Sequence, residues 1–234
     1  FLMLISHELR TPMNSIMGWS EMLISESQID ASMMKTGLDS IYRNSKMQCR
    51  VIDNLLDASN IVLGKFRVSQ REIDFLPLVK KSIEEAQVKA QSQKIHIQFS
   101  SDLGAVFLKG DPERLRQMVD SLLDNAIKFS TPGSTIRIDL LREGPSATLK
   151  VQDSGMGIQP SLQPHIFNRF SQTEKYSTRS HGGLGLGLTI TKSIVDSHHG
   201  QLSVSSEGEG KGAEFKVSLP LLSTRSEVLQ QSHA

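Results

Sequence analysis

The chain's 234 residues are enough for one large domain or two modest ones, and its 38% hydrophobic and 22% charged residues are ordinary for a globular protein. Basic and acidic residues nearly cancel, 26 against 25, so the composition gives no indication of a nucleic-acid or anionic-membrane partner. The single cysteine, Cys49, excludes an internal disulfide framework, and no stretch approaches the roughly 18 apolar residues of a membrane span. We therefore expect a cytoplasmic chain.

The first 62 residues have the spacing of two coiled-coil helices. Steps of three and four separate the apolar residues of the first run: Leu2, Ile5, Leu9, Pro12, Ile16, Trp19 and Leu23. After a polar break at 25–32, the second run has its predicted seam at Leu38, Ile41, Ser45, Gln48, Ile52, Leu55, Ser59 and Val62. Two such helices predict an antiparallel hairpin. Because two helices cannot cover so broad a stripe, we expect a four-helix bundle in a homodimer through residues 1–65.

After residue 66 the pattern changes to strands alternating with helices. The predicted strands lie at 66–75, 94–100, 105–109, 134–141, 146–153, 201–206 and 212–219, and the predicted helices at 75–92, 111–129 and 185–198. Asp111, Pro112 and Glu113 supply a cap, a first-turn proline and an acidic first turn for the second of these helices. A glycine-, serine- and threonine-rich stretch at 154–187 predicts a loop with a short helix inside it.

These elements predict an α+β chain. A helical hairpin domain at 1–65 precedes an α/β sandwich domain at 66–222, and a polar tail follows at 223–234. Because the chain begins inside a helical pattern, we expect that an upstream part precedes it.

The predicted helix at 111–129 carries a polar face beside its apolar stripe. Ser121, Asn125 and Lys128 line up at i, i+4 and i+7, and Arg114 joins them. A solvated face explains this pattern on its own. An amide oxygen and a lysine one turn apart also suit Mg²⁺ and the phosphates that it bridges.

Two glycine-rich stretches have the composition of ligand loops. Asp153 stands at a strand end in "DSGMGI", where it could accept from an exocyclic amine such as that of adenine, although a plain turn is an equal alternative. The stretch "HGGLGLGL" (181–188) leads into a helix, so its backbone donors could form an anion site. A third cluster, "GEGKGAEF" (208–215), is interpreted as a hairpin turn.

Together these motifs are far more specific than any one of them. In chain order they are Asn125; Asp153, Gly155 and Gly157; Phe167 and Phe170 of "IFNRF"; and Gly183, Gly185 and Gly187. In this combination, residues 66–220 resemble the ATP-binding domain of sensor histidine kinases, part of the superfamily with gyrase, mismatch-repair and chaperone ATPases. "SHELRTP" (6–12) with its hairpin resembles the dimerisation and phosphoacceptor domain of the same family.

The resemblance implies that ATP and Mg²⁺ are the cofactors. By this resemblance Asn125 coordinates Mg²⁺ and Lys128 reaches the phosphates. Asp153 reads the adenine amine, while the backbone at Gly155 and Gly157 shapes the nucleotide pocket.

The resemblance also assigns the lid. Phe167 and Phe170 anchor it, either as packing residues or as nucleotide contacts. Gly183, Gly185 and Gly187 close over the triphosphate.

Three positions depart from the family pattern. Ser121 stands where the family usually has a first asparagine, and Leu184 where a threonine is often found between the lid glycines. Ser171 stands where many relatives have an arginine, for which Lys175 or Arg179 are candidate substitutes. Ser121, Lys175 and Arg179 are therefore candidate phosphate contacts.

His7 falls at heptad position f, the outermost position of the first helix. An exposed imidazole is largely neutral at pH 7, so a ring nitrogen can act as a nucleophile. By the resemblance Glu8 accepts the other ring proton, and Thr11 positions water to hydrolyse a partner's phospho-aspartate. Pro12 cannot donate to the Glu8 carbonyl, which favours a kink beside His7.

The resulting expectation is an ATP-dependent histidine kinase that phosphorylates itself on His7 and passes the phosphoryl group to an aspartate of a response-regulator receiver domain. Phosphatase activity is a further expectation. The alternatives are a catalytically weakened scaffold or phosphatase of the same fold, suggested by Ser121, Leu184 and Ser171, and a superfamily ATPase. No nucleic-acid partner is expected, and an upstream sensor domain is expected to be missing from this chain. An alternative for the localisation is that this chain is the cytoplasmic part of a membrane-anchored receptor.

Overall fold

The computed structural model describes residues 2–26, 28–168 and 184–222. The chain divides into two compact units: the first holds the N-terminal residues to Phe66, and the second holds Arg67–Asn168 and the part that follows from Leu188. Among the described residues, no helix is both long and apolar enough to cross a membrane.

The first unit contains the predicted helical hairpin. Helix α1 spans Leu2–Ser25 and helix α2 spans Ala31–Val62. The carboxylate of Asp30 caps α2 by accepting from the Met33 N–H at 2.7 Å. Helix α1 continues through Pro12. The proline therefore does not end the helix, although it has no N–H to donate to the preceding turn.

The covered stripe on α2 differs from the predicted seam. The covered residues again follow steps of three and four: Gly37, Ile41, Asn44, Gln48, Val51, Leu55 and Ala58. Leu38, Ile52 and Val62 of the predicted seam are exposed instead. Gly37 gives the reason, because a Cβ there would lie 2.9 Å from both the Trp19 ring and the Leu23 side chain. Hydrophobicity gives no weight to a glycine at a close helix contact, so at these positions the predicted seam is not the stripe that α1 covers within one chain.

The second unit alternates strands and helices, as the sequence predicts. Its elements are β1 (Arg71–Asp74), α3 (Phe75–Ser92), β2 (His96–Ser101), β3 (Phe107–Gly110), α4 (Pro112–Phe129), β4 (Thr135–Glu143), β5 (Ser146–Gln152), a 3₁₀ helix (Gln163–His165), α5 (Gly187–Ser197), β6 (Gln201–Ser205) and β7 (Glu214–Pro220).

A mixed five-stranded sheet in the order β2-β4-β5-β7-β6 forms one layer of this unit. Strands β2 and β4 run parallel, and the other neighbouring pairs are antiparallel. Strands β1 and β3 form a separate antiparallel pair. Alternate residues of the central strands are buried, such as Ile136, Ile138 and Leu140 of β4. The fold class, a hairpin followed by an α/β domain, is confirmed.

The start of α4 is fixed by Asp111. Its Oδ1 accepts from the N–H groups of Glu113 and Arg114, at 3.1 and 3.2 Å, and its Oδ2 accepts from the Ser69 N–H at 2.9 Å. Pro112 occupies the first turn, where a missing N–H has no cost. These contacts position the helix that carries Asn125.

Candidate functional site

Asp153 lies just beyond the end of β5 and is buried, with 6% of its surface exposed. The Gly155 N–H donates to Oδ1 at 2.8 Å. An ionised carboxylate has further lone pairs, so Asp153 retains acceptor capacity for a ligand donor. Burial raises the pKa of Asp153, and hydrogen bonds from the backbone at Gly155 and Ala213 oppose that shift.

The loop of residues 153–158 abuts the C-terminal end of α4. The Met156 N–H donates to the Phe129 carbonyl at 3.2 Å. A Cβ on Gly155 would lie 2.0 Å from the same carbonyl oxygen, so only glycine fits there.

Asn125 and Lys128 lie on the last two turns of α4, and both are partly exposed. The Lys128 Nζ is 4.8 Å from the centroid of the Phe129 ring. Ser121 lies one turn before Asn125 and is also partly exposed. The predicted polar face of α4 therefore ends beside Phe129, whose carbonyl contacts the 153–158 loop.

The donors present decide which metal chemistry this helix face can support. Among the described residues, no group of three or more His, Cys, Asp or Glu side chains could hold a metal ion. Mg²⁺ prefers oxygen ligands and keeps several waters when it binds substrate phosphates, so it needs few protein groups, and the Asn125 amide offers one such oxygen.

The turn of residues 206–213, between β6 and β7, contacts the 153–158 loop, which the sequence interpretation missed. The Asp153 N–H donates to the Ala213 carbonyl at 2.9 Å, and the Gly210 N–H donates to the Met156 carbonyl at 2.6 Å. The available signal was the glycine spacing. Gly208, Gly210 and Gly212 all have positive φ.

Phe167 acts as a packing residue in the second unit. Its ring meets that of Phe215 edge to face, with the centroids 6.5 Å apart. The Thr189 hydroxyl in α5 donates to the Phe167 carbonyl at 3.2 Å. Gly187 begins α5, and Gly185 just before it has a φ of 67°.

Several predicted site residues lie outside the described residues. They are Phe170, Ser171, Lys175, Arg179 and Gly183.

His7 lies on α1 with its side chain 76% exposed, whereas the neighbouring Glu8 side chain is 12% exposed. The Glu8 Oε1 lies 3.9 Å from His7 Nδ1, so the carboxylate faces that nitrogen without a direct hydrogen bond. The Thr11 hydroxyl, one turn further on, donates to the His7 carbonyl at 3.1 Å. The nitrogen away from the carboxylate is Nε2.

Two family models match the chain. Residues 1–64 match the His Kinase A (phospho-acceptor) domain, and residues 110–223 match the Histidine kinase-, DNA gyrase B-, and HSP90-like ATPase. The chain belongs to the histidine kinase family. The resemblance of its motifs to a sensor histidine kinase catalytic core is thereby confirmed, and this family comprises ATP-binding transferases of two-component signalling.

Relatives and solved structures agree with this membership. The histidine kinase is 34% identical to the hybrid signal transduction histidine kinase D of Dictyostelium discoideum, over 95% of this chain and 17% of that protein. It is 33% identical to the circadian input-output histidine kinase CikA of Synechococcus elongatus, over 94% of this chain and 29% of that protein. Full-length ShkA in complex with AMPPNP has the same fold, with a TM-score of 0.69 and 24% identity over 94% of this chain and 45% of that one. The chain thus spans less than a third of either curated relative.

Proposed function

We propose that this histidine kinase uses ATP to phosphorylate its own His7. The observation that carries the proposal is the exposed imidazole at the phosphoacceptor position, with the Glu8 carboxylate on its Nδ1 side. A histidine so exposed can meet a nucleotide, whereas a core histidine cannot.

The reaction forms a bond between His7 Nε2 and the γ-phosphorus of ATP. The bond from that phosphorus to the oxygen bridging the β-phosphate breaks, and ADP leaves with the electron pair. The Nδ1 proton passes toward Glu8, which is 3.9 Å away and closes in as the ring becomes positively charged. No acid is needed to protonate ADP, because phosphate oxygens are good leaving groups.

The nucleotide is held by the second unit. Asp153 accepts from the adenine amine, and the backbone at Gly155 and Gly157 passes close to the base. The packing of this loop against the protein's own backbone requires glycine at both positions, since a Cβ on Gly157 would lie 1.9 Å from the Gly208 carbonyl oxygen. Asn125 would hold Mg²⁺, which supplies charge neutralisation of the phosphates, and Lys128 adds a positive charge beside them.

The remaining assignments rest on the family resemblance. Phe167 and Phe170 anchor the lid, and Gly183, Gly185 and Gly187 close over the triphosphate. Ser121, Lys175 and Arg179 are the candidate phosphate contacts.

Residues 1–65 form the dimerisation and phosphoacceptor domain, residues 66–222 the ATP-binding domain, and 223–234 a polar tail. Most exposed large hydrophobic side chains of the described residues lie on the hairpin, and only Val88 and Phe107 lie elsewhere. A largely exposed stripe on α2 and its C-cap residue repeats at steps of three and four, with only Ser45 partly covered: Leu38, Tyr42, Ser45, Cys49, Ile52, Leu56, Ser59 and Leu63. Except for Leu63, each residue of this stripe follows a residue of the covered stripe, so the two stripes lie side by side on α2. In a four-helix bundle each helix contacts two neighbours, so a second copy of the chain would cover the exposed stripe.

Downstream, the phosphohistidine passes its phosphoryl group to an aspartate of a response-regulator receiver domain. Thr11 lies one turn from His7, within reach of the same docked partner, where its hydroxyl could orient water for dephosphorylation. The chain covers 29% of CikA, so the whole protein is longer if it resembles this relative, and we propose that an upstream sensor part belongs to it.

Incubation with γ-labelled ATP and Mg²⁺ tests the proposal. Wild-type protein and a His96→Ala control, which changes another exposed histidine, should acquire acid-labile label. His7→Ala should acquire none. Unlabelled wild-type protein that still binds ATP would indicate a scaffold, and phosphate release unaffected by His7→Ala would indicate a plain ATPase.

A further inference from the structure

The 206–213 turn and the 153–158 loop form one hydrogen-bonded unit. Besides the Asp153–Ala213 and Gly210–Met156 bonds, the Gly212 N–H donates to the Gly155 carbonyl at 3.1 Å. The backbone of the turn therefore follows the loop that carries the adenine-reading carboxylate over most of its length.

Ser206 is the side chain at the centre of this unit. Its hydroxyl accepts from the Ile158 N–H at 2.9 Å and donates to the Gly212 carbonyl at 2.6 Å. The Gly208 N–H also points to it, at 3.3 Å. One hydroxyl thus ties the end of the loop to both sides of the turn.

The Ser206 backbone adds a further tie. Its carbonyl accepts from the Gln163 side-chain amide at 2.7 Å, and the same amide reaches the Ile158 carbonyl at 3.3 Å. The hydroxyl and the carbonyl of Ser206 therefore both converge on Ile158, directly or through Gln163.

The backbones of the 206–213 turn and the 153–158 loop are in close contact. A Cβ on Gly212 would lie 2.0 Å from the Asp153 carbonyl oxygen, as close as the Gly157–Gly208 approach on the other side. A small displacement of the turn would therefore move the backbone of Asp153, and with it the carboxylate.

We propose that Ser206 is a positioning residue for base recognition: its hydroxyl fixes the 206–213 turn against the 153–158 loop and so sets the place of the Asp153 carboxylate. This inference rests on the proposed role of Asp153 in reading adenine. The Ser206 hydroxyl bonds backbone groups of the loop and the turn, so its loss should change discrimination between bases more than it changes binding of the phosphates.

The test compares dissociation constants for ADP and GDP, each with Mg²⁺, by isothermal titration calorimetry on the full chain. Ser206→Ala should weaken ADP binding about three- to tenfold, because it removes two or three hydrogen bonds. GDP binding should change less, so the preference for adenine falls. Ser206→Thr keeps the hydroxyl and should restore the preference, and Ser205→Ala, at the exposed neighbour, should leave it unchanged.

Measuring Asp153→Asn beside these variants separates a failure of the Ser206 proposal from a failure of the nucleotide-site assignment. If Asp153→Asn loses ADP binding and Ser206→Ala keeps the wild-type ratio of the two constants, the positioning role is overturned and the proposed function stands. Equal weakening of ADP and GDP by Ser206→Ala, with a lowered melting temperature, would also overturn it in favour of a purely structural role. Wild-type ADP binding by Asp153→Asn would overturn the nucleotide-site assignment and this inference together.

Discussion

Asp153 has opposing demands placed on it by folding and by recognition. Burial raises its pKa, so the ionised form, which is the better acceptor for the proposed adenine contact, is also the form that the folded protein disfavours. Because the folded pKa is raised, the stability that Asp153 contributes is present in acid and is lost as the pH rises through that pKa. Function at neutral pH therefore costs this loop some stability.

Asp153→Asn should separate these effects. The amide oxygen can still accept from the Gly155 N–H, but the amide nitrogen would face the adenine amine, donor against donor. We expect ADP affinity to fall by roughly 10- to 100-fold, with a melting temperature at pH 7.5 equal to or above that of the wild type. Calorimetry and thermal melts without ligand measure the two effects, and a large loss of stability would contradict the account.

Affinity should also depend on pH through the same residue. Protonation gives the carboxyl a donor where an acceptor is needed, so ADP affinity should fall on acidification, beginning at a higher pH than an ordinary aspartate would give. Titrations at a series of pH values measure this, and Asp153→Asn should remove this component of the dependence. If the ADP affinity of the wild type did not change between neutral pH and pH 4, this prediction would be contradicted.

His198 is a second buried titratable group, and it acts on stability. Its Nε2 accepts from the Asp111 N–H at 2.9 Å, while Nδ1 lies 2.7 Å from the Ile194 carbonyl, so the neutral ring carries its proton on Nδ1. Burial lowers its pKa below the ordinary 6.5, and His199 acts in the same direction. The Ile194 carbonyl and the charge of Asp111 oppose that shift.

Acidification should therefore destabilise the second unit through His198. Since the folded pKa is lowered, its stability contribution is present above about pH 6.5 and is lost as the pH falls toward the folded pKa. Thermal melts between pH 7.5 and 5.5 should show a steeper loss for wild type than for His198→Gln. The control His96→Gln, at an exposed histidine of β2, should keep the wild-type slope, and equal slopes for all three would refute the assignment.

Residues differ in how far the sequence could reveal them. Asp153 and its glycines belong to a short local motif, so their place at a strand end was predictable. Ser206 was not, because its partner Ile158 is 48 residues away and no periodic pattern links the two. A serine beside glycines is also typical of any turn.

At the scale of elements, the hairpin depends on a close contact at Gly37. Gly37→Val should lower the free energy of unfolding by about 1–3 kcal/mol, because its side chain would overlap Trp19 and Leu23. Gly18→Val is the matched control in the other helix, where nothing lies within 4 Å of an added Cβ, and it should cause no loss. Urea unfolding followed by the fluorescence of the single tryptophan, Trp19, measures both. Equal losses would show that the contact is unimportant.

The exposed stripe on α2 predicts the oligomeric state. Leu56 is 58% exposed in one chain, so Leu56→Glu should leave the hairpin folded but place a charge in the proposed dimer interface. Light scattering after gel filtration should show a dimer for wild type and a monomer for this variant. Arg43→Glu changes charge on another exposed face of α2 and should remain dimeric. A dimeric Leu56→Glu variant would place the interface elsewhere.

The start of α4 was predictable because Asp111 and Pro112 marked it with capping chemistry. The helix expected at 75–92 is α3 with the same bounds, since the Asp74 carboxylate accepts from the Leu76 N–H at its start. The seam of α2 was less predictable, because apolar residues on that helix belong to two neighbouring stripes. Hydrophobic spacing alone cannot separate a stripe covered within the chain from one that a second copy would cover.

At the scale of the whole molecule, the proposed reaction divides between the two matched domains. The first unit carries an exposed histidine, the proposed nucleophile, and the second carries a buried carboxylate, the proposed reader of the base, near the polar face of α4. The sequence predicted both halves because each rests on a short motif. The partner regulator and the input signal have no such motif in these residues.

The most direct test of the central claim is the location of the phosphoryl group. Wild-type protein incubated with ATP and Mg²⁺ should yield one phosphohistidine, which tandem mass spectrometry places on His7 and ³¹P NMR assigns to Nε2. Asp153→Asn, with its weakened nucleotide site, should yield much less at the same ATP concentration. Phosphate on another residue or on Nδ1 of His7, or undiminished labelling of Asp153→Asn at low ATP, would contradict the account.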